Sequence, residues 1–274
     1  MSEPQGPKIY LLPNLMTAGN LCCGFLATLK ILEGALLEAT SAATGTHHFQ
    51  MAIWCILGAC IFDALDGRLA RLGGHESDFG REFDSIADIV SFGVAPALMV
   101  NRIVLHDTPK LGWMVASIYL VCGALRLARF NCLAAQNSAA ANREFKGFPI
   151  PAAAGLVASL TLFMLWLNDD RIEHRLTKWV LPPLLLFLSW MMFSGFKYPS
   201  FKSINWRSTR SLPKFLGIVV IIIFTVMNYQ WMPFALFTAY LLYGFLRPFL
   251  SRRMKQEIEE ELEDDEPAEA SESP

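Results

Sequence analysis

The sequence predicts an all-α polytopic membrane protein, a bundle of about eight transmembrane helices with both termini in the cytoplasm. Three observations carry this. The 274-residue chain is 53% hydrophobic and 18% charged, with a mean hydropathy of +0.36, whereas soluble domains are about 45–50% apolar and about 25% charged. Eight runs approach the roughly 20 apolar residues that a helix needs to cross a bilayer. The basic residues sit at the ends of those runs, most of them on one set of alternate loops, as the positive-inside rule requires. Collagen, coiled coil and disulfide scaffolds are excluded. A membrane barrel would alternate with a period of two, and stretches such as 216–226 do not.

The runs are 14–36, 49–70, 84–105, 111–134, 150–168, 178–196, 214–230 and 232–249. The first follows a short polar segment with Pro4, Pro7 and Lys8, in which no cleavage pattern is expected. It carries Thr17 and Asn20, spaced on one face. Polar groups inside a membrane need partners; a ligand or a neighbouring helix could supply them. The second run ends in Asp63 and Asp66, and the third begins with Asp84 and Asp88. The fourth ends in Arg126 and Arg129. The fifth and sixth are joined by 168–178, whose three bases run against the charge rule. The seventh and eighth lead to Arg247, Arg252 and Arg253. Trp54, Trp113, Trp179 and Trp231 lie near run ends, as interfacial anchors do. The six cysteines fall in or at the edge of apolar runs without a CxxC, and are expected as buried thiols.

Net charge is −2, but it is divided. Residues 256–274 hold ten acids and no Lys or Arg, so the tail is −10 and the rest +8. Bases flanking apolar runs belong to a membrane boundary rather than to nucleic acid, and no nucleic-acid partner is expected. The domain expectation is a cytoplasmic segment at 1–13, a helical core at 14–200, an added helix pair at 201–250 and a disordered acidic tail at 251–274.

The stretch 62–96 carries the chemistry. Asp63 and Asp66 are three apart, Asp84 and Asp88 four apart, so each pair shares a helix face. A short loop makes the two helices antiparallel neighbours, and the four carboxylates can converge near one membrane face. Such a cluster is prohibitively costly without compensation. Divalent cations relieve it, and two ions bridged by carboxylates suit phosphoryl transfer. Oxygen-only ligands favour Mg²⁺ or Mn²⁺. The alternative is that these acids pair with Arg68, Arg71 and Arg81. Gly67, Ala70 and Gly80 keep the helices thin beside the acids, Arg71 offers a fork to phosphate oxygens, and Ser77 could add a hydroxyl. The histidines form no ligand pattern; His75 could reach a phosphate or be a solvated loop residue.

Asp63-x-x-Asp66-Gly67-x-x-Ala70-Arg71, eight residues, then Gly80-x-x-x-Asp84-x-x-x-Asp88 resembles the signature of the CDP-alcohol phosphotransferase family at every fixed position. The resemblance implies metal binding by Asp63, Asp66 and Asp84. Asp88 would lie near the metals, as a fourth ligand and as general base, and Gly67 and Arg71 would contact the CDP moiety. The set expected around CDP-diacylglycerol is Thr17, Asn20, Asp63, Asp66, Gly67, Ala70, Arg71, Ser77 and Gly80, with Asp88 also near the metals. Ser91–Pro96, Leu125–Asn131, Gly147–Ala153 and the opening Pro13-Asn14-Leu15-Met16-Thr17-x-x-Asn20 resemble the phosphatidylserine synthase branch. That branch implies transfer of a phosphatidyl group from CDP-diacylglycerol to L-serine with release of CMP, two Mg²⁺ or Mn²⁺ ions, a homodimer, and a bacterial inner-membrane enzyme whose site faces the cytoplasm. Arg126 and Arg129 are the candidates for the acceptor carboxylate. They would equally suit glycerol 3-phosphate, or serve only as membrane-flank charges. An ion-coupled transporter is the non-enzymatic alternative, though a cluster at one membrane face does not suit it.

Overall fold

A computed structural model describes residues 11–40, 45–73, 77–105, 108–135, 145–167, 174–194, 197–198 and 212–246. The N-terminal segment, the acidic tail, His75 and Arg143 lie outside the described residues, as do the side chains of Ala70 and Arg71. Every apolar run forms a helix. The order is α1 (Leu11–Thr40), α2 (Thr46–Gly73), α3 (Asp78–Asp88), a π-helical turn (Ile89–Val94), α4 (Ala95–Ile103), α5 (Pro109–Ala135), α6 (Ile150–Leu167), α7 (His174–Phe193), α8 (Leu212–Met227) and α9 (Met232–Leu246). Because α3, the π turn and α4 are continuous, these make eight rods. A two-residue antiparallel ladder also pairs β1 (Phe145–Lys146) with β2 (Lys197–Tyr198), a small departure from the all-α expectation.

Among the described residues five rods, rather than the expected eight or so, are long and apolar enough to cross a membrane: Leu11–Thr40, Thr46–Leu69, Asp78–Ile103, Pro109–Cys132 and Ile150–Leu167. Trp179–Phe193 and Met232–Phe245 are shorter apolar helices. The outward faces are apolar too. On α8, Leu216, Val220, Ile221, Ile222, Ile223 and Phe224 are exposed, a patch that water would not tolerate and that hydrocarbon does. This surface fits an integral membrane protein. Trp54, Trp113 and Trp179 are exposed near helix ends. Cys22 and Cys132 are exposed as well, correcting the expectation of uniformly buried thiols; they lie on outward helix faces, and all six cysteines are free.

Helix α1 packs along α2, and both meet the α3–α4 rod; α5 packs on α7, and α6 on α2 and α9. The core between them includes Ile31, Phe49, Ile53, Ile56, Phe92, Met99 and Tyr119, all with essentially no exposure. The third rod starts at Asp78, six residues before the expected 84, because Ser77 ends the preceding loop as an N-cap. Its hydroxyl accepts the Gly80 N–H at 3.1 Å.

The π turn follows Asp88 directly, and nothing in the periodicity announces it. Pro96 has no N–H to return to the Phe92 carbonyl four residues back. That buried carbonyl accepts the Tyr119 hydroxyl of α5 at 3.1 Å instead. At the preceding residue, the Ser91 hydroxyl donates to the Asn20 carbonyl at 2.9 Å. Gly24 of α1 lies against the same serine. A Cβ on Gly24 would fall 2.5 Å from Ser91 Cα, which is backbone and cannot swing aside.

This contact sets the spacing between α1 and the π turn. Gly24→Ala should therefore lower stability by about 1–3 kcal/mol, the usual cost of overpacking. The check is the midpoint of thermal unfolding in detergent, with Gly217→Ala as control, since a Cβ there meets nothing within 4 Å.

Candidate active site

The expected convergence of acids is present, in a more specific arrangement than four at one level. One carboxylate oxygen from each of Asp63, Asp66 and Asp84 lies within 4.8 Å of the others. Asp88 sits one turn deeper along the α3 rod, 6% exposed. The pairs share helix faces because of their spacing, and α2 and α3 present them to each other across a short loop.

Helix α1 braces both pairs. Thr17 Oγ1 lies 3.1 Å from Asp66 Oδ2 and 3.2 Å from the Pro13 carbonyl, so its one proton is shared between two acceptors. Asn20 Nδ2 donates to Asp88 Oδ1 at 3.1 Å. The interhelical hydrogen bond was one of the two readings open for Thr17 and Asn20, and both residues make it. Arg81, a possible partner for the cluster, instead pairs with Asp78 at 2.8 Å.

The electrostatics call for a cation. At about 4.8 Å and an effective dielectric of about 20, each pair of ionised carboxylates repels by about 3 kcal/mol. Asp84 Oδ1 is buried without a hydrogen-bond partner. An orphaned acceptor facing two further carboxylates, with oxygen-only donors, fits a hard divalent ion. Asp63, Asp66 and Asp84 could hold it.

Arg126 points the same way. Its charged and polar neighbours are Asp88, Tyr240 and Asp63, and its Nε is buried without a hydrogen-bond partner. Arg129, one turn on, is exposed. The structure thus brings one of the two candidate arginines to the carboxylates. Gly80 lies beside the site, with the Asn14 amide oxygen 3.3 Å from where a Cβ would stand. Gly67 is part of α2 directly after Asp66.

Three further groups had no role of their own in the sequence reading, although Asn14 and Asn131 lie in the segments that carry the resemblance. Asn131 Nδ2 donates to Ser85 Oγ at 2.9 Å and ties α5, and with it Arg126, to the carboxylate rod. Asn14 Nδ2 is buried and unpartnered near Gly80. Tyr240 comes from α9. Their place in those segments, near run ends, is the signal for the two asparagines; Tyr240, inside an apolar run, gives none.

The chain resembles known proteins over most of its length. The family model described as CDP-alcohol phosphatidyltransferase matches residues 10–193. A CDP-diacylglycerol–serine O-phosphatidyltransferase of Helicobacter pylori (strain ATCC 700392 / 26695) is 34% identical over 240 residues, covering 87% of this chain and 91% of that protein. The protein of that name from Bacillus subtilis (strain 168) is 32% identical over 196 residues, 70% of this chain and 91% of its own. The one from Mycobacterium leprae (strain TN) is 41% identical over 155 residues, 56% of this chain and 47% of its own.

The brace on Asp88 is open to test. Asn20→Ala removes a donor from a buried carboxylate and should cost about 1–3 kcal/mol. Leu15→Ala, on the exposed side of the same helix, should stay within about 0.5 kcal/mol. Thermal unfolding of the two variants checks this.

Proposed function

The chain belongs to the CDP-alcohol phosphatidyltransferase family, and from that premise we propose that it transfers the phosphatidyl group of CDP-diacylglycerol to the hydroxyl of L-serine, giving phosphatidylserine and CMP. The observation that carries this is the pairing of a three-carboxylate cluster with a half-buried arginine on the adjoining helix. The cluster suits a metal-bound diphosphate, and the arginine suits an acceptor that has a carboxylate. The names of the relatives support the same acceptor.

In this reading Asp63, Asp66 and Asp84 hold two Mg²⁺ or Mn²⁺ ions, with Asp88 close by. When bound, the ions neutralise the diphosphate and stabilise charge on the departing CMP oxygen. The rest falls to the protein. Gly67 and Gly80 leave room for the CDP moiety, Ser77 offers a hydroxyl to its phosphates, and Ala70 and Arg71 are assigned to the same moiety by the motif alone. Thr17 fixes Asp66, and Asn20 fixes Asp88. Asp88 takes the proton of the serine hydroxyl as that oxygen bonds to the phosphorus bearing the diacylglycerol, and the bond from phosphorus to the CMP oxygen breaks. A carboxylate is a weak base for an alcohol, so it helps as the bond forms and the hydroxyl grows acidic. Its position apart from the compact group of three supports a role other than ligand alone. Arg126 holds the serine carboxylate, while Arg129 contributes flank charge.

The same reading places both termini and the carboxylate mouth at the cytoplasmic face of a bacterial inner membrane. Most Lys and Arg residues lie in the loops on that side. Residues 14–200 form the transferase core, 201–250 an added helix pair.

Purified protein should release CMP from CDP-diacylglycerol with L-serine. It should not do so with glycerol 3-phosphate or inositol. Release should stop in EDTA and resume with Mn²⁺ or Mg²⁺. Full activity in chelator would contradict the metal reading, and equal rates with glycerol 3-phosphate would contradict the acceptor.

The two arginines should separate kinetically. A charge-assisted hydrogen bond contributes about 1.5–3 kcal/mol, so Arg126→Ala should raise the KM for serine about ten- to a hundredfold. The KM for CDP-diacylglycerol should change far less, and Arg129→Ala should leave both nearly unchanged. Steady-state kinetics with each substrate varied in turn decide it.

A further inference from the structure

Helix α1 carries one buried group to which the mechanism gives no partner. Asn20 has no exposure. Its Nδ2 donates to Asp88 Oδ1 at 3.1 Å, and its backbone carbonyl accepts the Ser91 hydroxyl at 2.9 Å. Its Oδ1 is buried and makes no hydrogen bond. A carboxamide needs donors at its oxygen as much as acceptors at its nitrogen, and a bare acceptor at this depth is costly. Rotation does not relieve it. Turning the amide over would set Oδ1 against the Asp88 carboxylate, acceptor against acceptor. Nor can α1 shift toward the π turn, because Gly24, one turn on, already lies against the Ser91 backbone.

The place of this oxygen identifies the donor it lacks. Thr17, one turn nearer the start of α1, bonds Asp66 of the three-carboxylate group, the side assigned to the metal-bound diphosphate. Asn20 bonds the separate Asp88 instead, the carboxylate assigned to the acceptor hydroxyl. In L-serine the hydroxyl and the ammonium stand on adjacent carbons. A serine whose hydroxyl lies on Asp88 therefore carries its ammonium within reach of an amide bonded to the same carboxylate. An ammonium has donors and no acceptor, the complement of a bare oxygen. Glycerol 3-phosphate and inositol carry a hydroxyl at the corresponding carbon, a neutral and weaker donor.

We propose that Asn20 Oδ1 receives the α-ammonium of the acceptor, so that the residue bracing Asp88 also selects an acceptor with a charged nitrogen beside its hydroxyl. This rests on the reading of L-serine as acceptor and Asp88 as its base, and needs nothing from Arg126. The two ends of one planar amide then have two tasks. Nδ2 holds the base, and Oδ1 holds the substrate whose proton that base takes, which fixes the two relative to each other. Asn20 passes from the set expected around CDP-diacylglycerol to the acceptor, and Thr17 stays with the donor. Because a charge-assisted hydrogen bond is about twice as strong as a neutral one, acceptors without the nitrogen bind more weakly.

The test compares L-serine with 3-hydroxypropionate, which lacks only the ammonium, in wild type and in Asn20→Ala, with Asn20→Ser in its place if the first variant does not fold. The KM for L-serine is read from CMP release, and the inhibition constant of 3-hydroxypropionate from its competition with L-serine. Loss of a charge-assisted hydrogen bond should raise the serine KM about ten- to a hundredfold. The inhibition constant of 3-hydroxypropionate and the KM for CDP-diacylglycerol should stay close to wild type. Loss of the brace on Asp88 lowers kcat in the same variant but does not separate the two compounds, so the paired comparison isolates the ammonium. A serine KM unchanged in the folded variant, or a rise shared equally by 3-hydroxypropionate, would overturn the proposal and leave the brace standing. A rise in the KM for CDP-diacylglycerol with serine unaffected would put Oδ1 on the donor and overturn it too. Absence of CMP release with L-serine in the wild type would instead bring down the functional reading on which the proposal rests.

Discussion

Four carboxylates on two adjoining helices, in a chain that is otherwise largely apolar, are the constraint on which the rest of the structure depends. Asp66 and Asp88 are each only 6% exposed. Acids at such a depth persist only with hydrogen-bond donors or cations around them. The fold supplies donors from α1, where Thr17 and Asn20 each reach one buried acid. From α5 it brings the Arg126 guanidinium within electrostatic reach of Asp88 and Asp63. The remaining deficit, at Asp84 Oδ1 and among Asp63, Asp66 and Asp84, is what a divalent ion satisfies. Stability and chemistry thus draw on the same residues, and a site of this kind is bound to be strained when a brace is lost.

The π turn after Asp88 belongs to the same economy of contacts. It lies between the acid-bearing α3 and the deeply buried α4. Such turns recur at functional sites because they shift the helix face by a fraction of a turn. Here the shift brings Ser91 to the Asn20 carbonyl, on the same α1 residue whose amide holds Asp88. One asparagine is therefore bonded to the carboxylate rod through both its backbone and its side chain. The Tyr119 hydroxyl, bonding the Phe92 carbonyl that Pro96 leaves without its usual partner, locks α5 to the same turn. A second tie from α5, Asn131 to Ser85, keeps Arg126 beside the acids.

The eight rods were legible because each apolar run is long and ends in charge or a turn. The carboxylates were legible because spacings of three and four on two consecutive helices leave few other uses for Asp63, Asp66, Asp84 and Asp88. Thr17 and Asn20 stood out as polar residues in an apolar run, although only the structure shows which acids they hold. The π turn could not be read, since Ser91–Pro96 fits an ordinary helix until Tyr119 is placed against Phe92. Arg126 and Arg129 could not be told apart, since both carry the same charge one turn apart and only the rotation of α5 separates them. Tyr240 was out of reach altogether, because its proximity to Arg126 arises from α9 packing on α6 over Gly155.

The central claim is that the acids of α2 and α3 form one divalent-cation site. Its most direct test is a titration of purified protein with Mn²⁺, followed by electron paramagnetic resonance of the free ion, in the presence of a CDP-bearing ligand. The account predicts saturable binding of two ions per chain, lost or greatly weakened in Asp66→Asn, whose folding is checked by its unfolding transition. Saturation that is absent in the wild type, or unchanged in folded Asp66→Asn, would contradict it.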